Sequence, residues 1–302
     1  MTKNSTVTQS GAASLKKKDD IKSLKIAVIG AGIMGGGIAQ LFAANKFKTL
    51  IWDINTEVTQ KGYQAILTRL KKSAAKGSIT GEEASECISR ISRADSLHSI
   101  SDCDFVIEAA IEKQDIKEKL FSDLEKVLSQ RAIIATNTSS LSVCDLAKKL
   151  AHPERFLGVH FFNPPTKLEL VEIISTPLVS AGICSAVCGL ITACGKTPVM
   201  VKDSPGFIVN RLLFPYINEA VKLLETGVTK AEDIDTAMQL GALHQAGPLK
   251  TADLVGLDVC RHILETLAES CNNPAYLPAK KIIELTDAGN LGRKTGKGFY
   301  EY

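Results

Sequence analysis

The chain has 302 residues, too many for a single ordinary core, and predicts two domains. Its 45% hydrophobic and 23% charged residues fit a globular protein, and its net charge of +3 excludes bulk nucleic-acid binding while permitting a basic patch for an anionic substrate. Aromatic residues make up only 5%, too few for a base-stacking surface.

The first twenty residues, MTKNSTVTQSGAASLKKKDD, are polar and end in a charge run, and are expected to form a flexible tail. They contain neither the apolar core of a secretory signal nor the arginines of a mitochondrial presequence. No apolar stretch approaches the length of a membrane span. The cysteines, Cys87, Cys103, Cys144, Cys184, Cys188, Cys194, Cys260 and Cys271, form no CxxC pair. They read as reduced thiols of a cytoplasmic protein. Cys184, Cys188 and Cys194 share a helical pattern and read as small core hydrophobes rather than metal ligands.

From residue 24 the pattern alternates. Strands are predicted at 24–30, 47–53, near RISRAD and CDFVIEA, and at 131–137, with helices at 33–46, 57–75, 113–129 and 142–150 between or after them. Two apolar runs at 155–162 and 167–174, a helix at 178–194 and a strand at 196–201 follow. This order predicts an α/β domain over 21–205 with a largely parallel, doubly wound Rossmann-type sheet. After Asp203-Ser204-Pro205-Gly206 the periodicity turns helical, which predicts an all-helical domain over 206–302 with a short extended tail at GFYEY.

Gly30, Gly32 and Gly35 form G-x-G-x-x-G where the first strand meets the first helix. Gly30 permits the tight turn. Gly32 removes a side chain where a pyrophosphate lies against the backbone, and Gly35 lets helix and sheet approach. The helix N-terminus offers N–H groups and a positive dipole end to the phosphates. Asp53 closes the next strand 23 residues after Gly30, where a carboxylate accepts both ribose hydroxyls and repels a 2′-phosphate. The cofactor expected is therefore NAD.

Further on stand NTSSL (137–141), HFFNPP (160–165), LVEII (170–174), DSPGFIVNRLL (203–213) and GRKTGKGFYEY at the end. With the glycine motif, and in this order, they make residues 24–302 closely resemble the L-3-hydroxyacyl-CoA dehydrogenase family, including the short-chain 3-hydroxybutyryl-CoA dehydrogenases. The resemblance implies that His160 is the catalytic base and Glu172 its partner. Physically, an imidazole near neutrality suits reversible proton transfer from a secondary alcohol, and a carboxylate orients and compensates it. By the same resemblance Ser139 hydrogen-bonds the substrate oxygen at C3 and Asn210 helps hold the substrate. Glu112, Lys117, Asn137, Asn163 and Lys294 are implied to lie near the cofactor. The bland alternatives are helix capping for Ser139 and solvated helix positions for Asn210, Glu112 and Lys117.

The basic stretch RLKKSAAKG (69–77) matches the region that receives the CoA nucleotide in the family; a solvated helix face explains it equally well. Within GALHQAGPLK the chain departs from its relatives, with Gln245 and Ala246 where the family commonly has Pro-Met. The expected protein is thus an NAD-dependent dehydrogenase of short (S)-3-hydroxyacyl-CoA substrates and a homodimer through the helical domain. Three alternatives stay open: the same chemistry on an acyl carrier protein, oxidation of a free sugar acid, and an NAD-binding protein without chemistry.

Overall fold

The computed structural model describes residues 23–302, and the predicted N-terminal tail lies outside them. The chain divides into two compact units, one ending at Asp203 and the other spanning Ser204–Tyr302.

The first unit is built on one eight-stranded sheet with the order β3-β2-β1-β4-β5-β6-β7-β8. Strands β1 (Lys25–Ile29), β2 (Lys48–Trp52), β3 (Ile91–Arg93), β4 (Phe105–Glu108), β5 (Ile133–Thr136) and β6 (Phe156–Phe161) run parallel. The central strands read as unbroken apolar runs because both faces are covered. The helix α1 (Ile33–Ala44) is apolar almost all round, and its Phe42 meets Phe47, Phe105 and Phe161 in the core. Helices α2 (Thr56–Ala75), α3 (Gly81–Ser89), α4 (Gln114–Val127), α5 (Val143–Ala147) and α6 (Ala181–Ala193) complete the unit. Cys184 and Cys194 are buried in the same core, with Cys188 packed against it.

The last two strands depart from a simple doubly wound plan. Strand β7 (Leu170–Ser175) pairs antiparallel with β6, and β8 (Thr197–Lys202) is parallel to β7. The segment between β6 and β7 is too short for the crossover that a parallel pair needs, so the chain must fold straight back. The predicted helix at 142–150 is also shorter than expected, as α5. Asp203, past the end of β8, takes its first-turn N–H at Cys144 (2.7 Å) and the Ser142 hydroxyl (3.0 Å).

The second unit comprises α7 (Val209–Glu225), α8 (Ala231–Gly241), α9 (Pro248–Val255), α10 (Leu257–Ser270) and α11 (Lys280–Asp287) around Phe214, Ile217, Leu249, Leu257 and Leu264. Two buried carboxylates tie its end down. Asp253 accepts from the N–H groups of Phe299 (3.0 Å) and Tyr300 (2.9 Å) and from the Tyr302 hydroxyl (3.2 Å). Asp235 accepts from the Tyr300 hydroxyl (2.7 Å) and caps α9 through the N–H groups of Leu249 and Lys250. Burial pushes the Asp253 carboxyl above its usual range although three donors oppose it. The GFYEY tail is held by these bonds and isolated bridges rather than by a strand.

Asp253→Ala should strip three donors of their acceptor and cost the helical unit about 3 kcal/mol. Urea unfolding followed by circular dichroism measures this, and an unchanged midpoint would dissociate the tail from that carboxylate.

Candidate active site

The sheet reverses its winding between β1 and β4, the switch point at which open α/β sheets bind ligands beyond their strand ends. Gly30, with φ +99°, turns the chain there, and a Cβ on it would lie 2.4 Å from the Ala109 carbonyl oxygen beyond β4. A Cβ on Gly35 would sit 1.8 Å from the Gly30 carbonyl oxygen, so α1 starts hard against the turn. Gly32 is different, because a Cβ there would meet nothing within 4 Å. It is the N-cap of α1, with no capping side chain and no acid in the first turn. An uncapped helix N-terminus that faces open space fits a dinucleotide pyrophosphate. Asp53 accepts from Ala31 N–H at 3.0 Å and from Asn55 N–H at 3.1 Å, while Thr59 holds the Asp53 N–H at 2.9 Å. The carboxylate expected to meet the ribose is thereby fixed beside the glycine turn.

The residues expected to form the proton-transfer pair meet across the antiparallel strands. His160 on β6 and Glu172 on β7 are direct register partners, and His160 Nδ1 lies 2.7 Å from Glu172 Oε2. His160 is 5% exposed and Glu172 fully buried. A buried carboxylate at Nδ1 calls for a proton there, which makes Nε2 the basic nitrogen of the neutral ring. Phe162 packs against the imidazole with ring centroids 4.6 Å apart. The following loop returns over α1, where a Cβ on Gly37 would lie 2.9 Å from Pro165 Cδ. Asn163 is exposed in this loop. Asn137 joins the ends of β5 and β6 by accepting the Phe161 N–H at 2.9 Å.

Ser139 lies in a loop whose donors converge on one oxygen of Glu112. Glu112 Oε1 accepts from the Thr138 hydroxyl (2.5 Å), the N–H groups of Ser139 (2.8 Å) and Ser140 (3.1 Å), and the Ser140 hydroxyl (3.0 Å). Its other oxygen is 3.1 Å from Lys117 Nζ. Burial alone would raise the Glu112 carboxyl, but the Lys117 charge and the loop donors together hold it below its usual range. Lys117 is 1% exposed and reaches Glu108 Oε1 at 2.5 Å, so it is no solvated helix lysine. Glu108 is fully buried and also accepts from Ala110 N–H (2.6 Å) and the Thr136 hydroxyl (2.7 Å).

Sequence reasoning missed Glu108, Thr138, Thr59 and Asp203. For Glu108 a signal existed: an acid inside the apolar run FVIEA must be paired if that run is a buried strand. The remaining predicted residues belong to the second unit. Asn210 is buried in the first turn of α7, and Lys294 is paired with both oxygens of Asp258, at 2.6 and 2.7 Å. Among the described residues, no cluster of three His, Cys, Asp or Glu is arranged to hold a metal, and no helix is long and apolar enough to cross a membrane.

A family model described as 3-hydroxyacyl-CoA dehydrogenase, NAD binding domain, matches residues 25–204, and one described as 3-hydroxyacyl-CoA dehydrogenase, C-terminal domain, matches residues 206–302. The chain is 42% identical over 278 residues to a 3-hydroxybutyryl-CoA dehydrogenase of Bradyrhizobium diazoefficiens, covering 92% of this chain and 95% of that protein. It is 40% identical over 300 residues to the mitochondrial hydroxyacyl-coenzyme A dehydrogenase of Sus scrofa, covering 97% and 95%. The crystal structure of (S)-3-hydroxybutyryl-CoA dehydrogenase from Ralstonia eutropha matches with a TM-score of 0.87 and 40% identity over 93% of this chain and 99% of that one.

The two glycines predict opposite failures. Gly32→Ala should fold and melt like the parent without cofactor, yet bind NADH at least tenfold more weakly by fluorescence titration. Gly35→Ala should lower the melting temperature, because its Cβ meets backbone. Unimpaired NADH binding in Gly32→Ala would contradict the pyrophosphate assignment.

Proposed function

The chain belongs to the 3-hydroxyacyl-CoA dehydrogenase family in both of its units, and we propose that it serves short acyl chains such as that of (S)-3-hydroxybutyryl-CoA. It is an NAD-dependent 3-hydroxyacyl-CoA dehydrogenase. The observation that carries the mechanism is the buried contact of 2.7 Å between His160 and Glu172. In the oxidising direction His160 Nε2 takes the proton of the C3 hydroxyl, and Glu172 compensates the imidazolium that results. NAD supplies the acceptor for the hydride that leaves C3. Ser139 holds the C3 oxygen as it becomes a carbonyl. In the reducing direction His160 returns the proton. Asp53 and the N-terminus of α1 hold the adenosine ribose and the pyrophosphate. Glu112, Lys117, Asn137 and Asn163 line or brace this region.

The short-chain reading is supported by relatives that carry the 3-hydroxybutyryl-CoA name. Coenzyme A is favoured as carrier because Lys71, Lys72 and Lys76 stand exposed on and just after α2, ready for phosphates, while Arg69 is drawn to Gln40 of α1 (3.0 Å). A reaction at C3 of an acyl thioester belongs to fatty-acid metabolism. A homodimer through the helical unit is supported by apolar side chains exposed there, Leu212, Leu240, Leu243 and Leu254. Gln245 and Ala246 are exposed beside Leu243, which aligns the departure from Pro-Met with that surface. The unpaired thiols suit a reducing compartment, and our reading is the cytoplasm. A protein that only bound NAD would have no use for a buried His160–Glu172 pair.

His160→Gln should lower kcat for acetoacetyl-CoA reduction by roughly two to four orders of magnitude while NADH binding stays within twofold. The NADH-absorbance assay that reads this also compares acetoacetyl-CoA with the same acyl group on a carrier protein. Full activity of His160→Gln refutes the mechanism, and a large advantage for the carrier-bound group refutes coenzyme A alone. A second outcome follows from Asp53: NADPH should be used at least tenfold less efficiently than NADH, with the gap narrowed in Asp53→Ser. Equal use of the two by the parent enzyme would remove Asp53 from its role.

A further inference from the structure

Glu108 has no part in the reaction as derived so far, yet it is among the most completely buried charges of the first unit. It stands at the end of β4, in the middle of the sheet, where its backbone is fixed by ladders on both sides. Its carboxylate is fixed again by Ala110 N–H and the Thr136 hydroxyl. From this rigid point the contacts run outward in series. Glu108 grips Lys117, Lys117 grips Glu112, and Glu112 gathers the donors of residues 138–140, including the Ser139 N–H. Ser139 is the residue read as touching the substrate, and this inference rests on that reading.

We propose that Glu108 and Lys117 are positioning residues that set the place of Ser139, Lys117 through Glu112 and Glu108 through both Lys117 and Thr136, so that a strand in the centre of the sheet fixes the substrate-binding loop. The physical reason lies in how a buried ammonium divides its attraction. Lys117, itself buried, is held between the buried Glu108 and the partly exposed Glu112. Neutralising Glu108 leaves the Lys117 charge with one anionic partner. Nζ is then drawn toward Glu112 and competes with the loop for that carboxylate. The oxygen that collects the N–H groups of Ser139 and Ser140 shifts, and the loop shifts with it. Displacement of a reacting contact by about 1 Å is enough to cost roughly a hundredfold in rate. Glu108 meets the loop by a second route as well: the Thr136 hydroxyl that donates to it accepts the Thr138 N–H at 3.3 Å, one residue before Ser139.

A double-mutant cycle tests this. Glu108→Gln, Ser139→Ala and the double variant are compared by kcat for acetoacetyl-CoA reduction, with NADH affinity and melting temperature measured alongside. The expected result is a fall of tenfold to a hundredfold in kcat for Glu108→Gln, NADH affinity within threefold of the parent, and a double variant no worse than the poorer single one. A purely structural role for Glu108 would make the two losses multiply, and that result overturns the proposal. If Ser139→Ala alone is fully active, the reading of Ser139 fails and takes this inference with it; if Ser139→Ala is impaired but the losses multiply, only the inference fails. Should Glu108→Gln not fold, Glu112→Gln, whose side chain is partly exposed, replaces it in the cycle and is judged on kcat alone: losses that multiply with those of Ser139→Ala overturn the proposal.

Discussion

The antiparallel pairing of β6 with β7 is the constraint on which the proposed chemistry depends. It makes His160 and Glu172, twelve residues apart in sequence, direct neighbours across two strands. A parallel continuation would have needed a long crossover and would have carried Glu172 elsewhere. Direct cross-strand partners on one face lie close enough for a side-chain contact without strain. Because both backbones are held by sheet ladders, the imidazole and its carboxylate are set before any ligand arrives. Preset geometry of this kind lowers the reorganisation that a proton transfer would otherwise require.

The rest of the first unit places ligands relative to that pair. At the switch point the chain removes side chains, so that the N-terminus of α1 is left uncapped and open, as the proposed pyrophosphate site requires. Around it the structure adds polar bonds that anchor the residues proposed to act, or the elements beside them. Thr59 and Ala31 fix Asp53, Glu112 gathers the loop of Ser139, and Asp203 caps α5 just after that loop. Pro165, on the loop after His160, rests against α1 where only glycine leaves room. Helix α1 and the loop that follows His160 are thus held together by contact as well as by the sheet.

Much of this was legible in the amino-acid order. Gly30, Gly32, Gly35 and Asp53 announce themselves because a strand-turn-helix with that spacing has few other uses. The strands were legible as apolar runs, but their direction was not, since an apolar run carries no arrow. Only the short connection after HFFNPP hinted that β7 must turn back. The burial of Lys117 is the feature of environment that its local sequence hides most completely. A lysine on a helix is ordinarily solvated, and nothing local reveals that two acids await it in the core. Glu108 was overlooked because a single acid at the end of an apolar strand looks like a boundary, whereas burial turns it into a fixed counter-charge. His160 and Glu172 stand out through the motifs around them, not through any property of a lone histidine.

The proposed mechanism requires that Glu172 hold the proton of His160 on Nδ1 and leave Nε2 as the base. Nitrogen-15 NMR of the imidazole in the ligand-free enzyme, at a pH where the ring is neutral, reads that directly. The account predicts a protonated Nδ1 coupled to a strongly hydrogen-bonded proton, and an unprotonated Nε2. A neutral ring that carries its proton on Nε2 would contradict it, because the nitrogen assigned to receive the substrate proton would already be occupied.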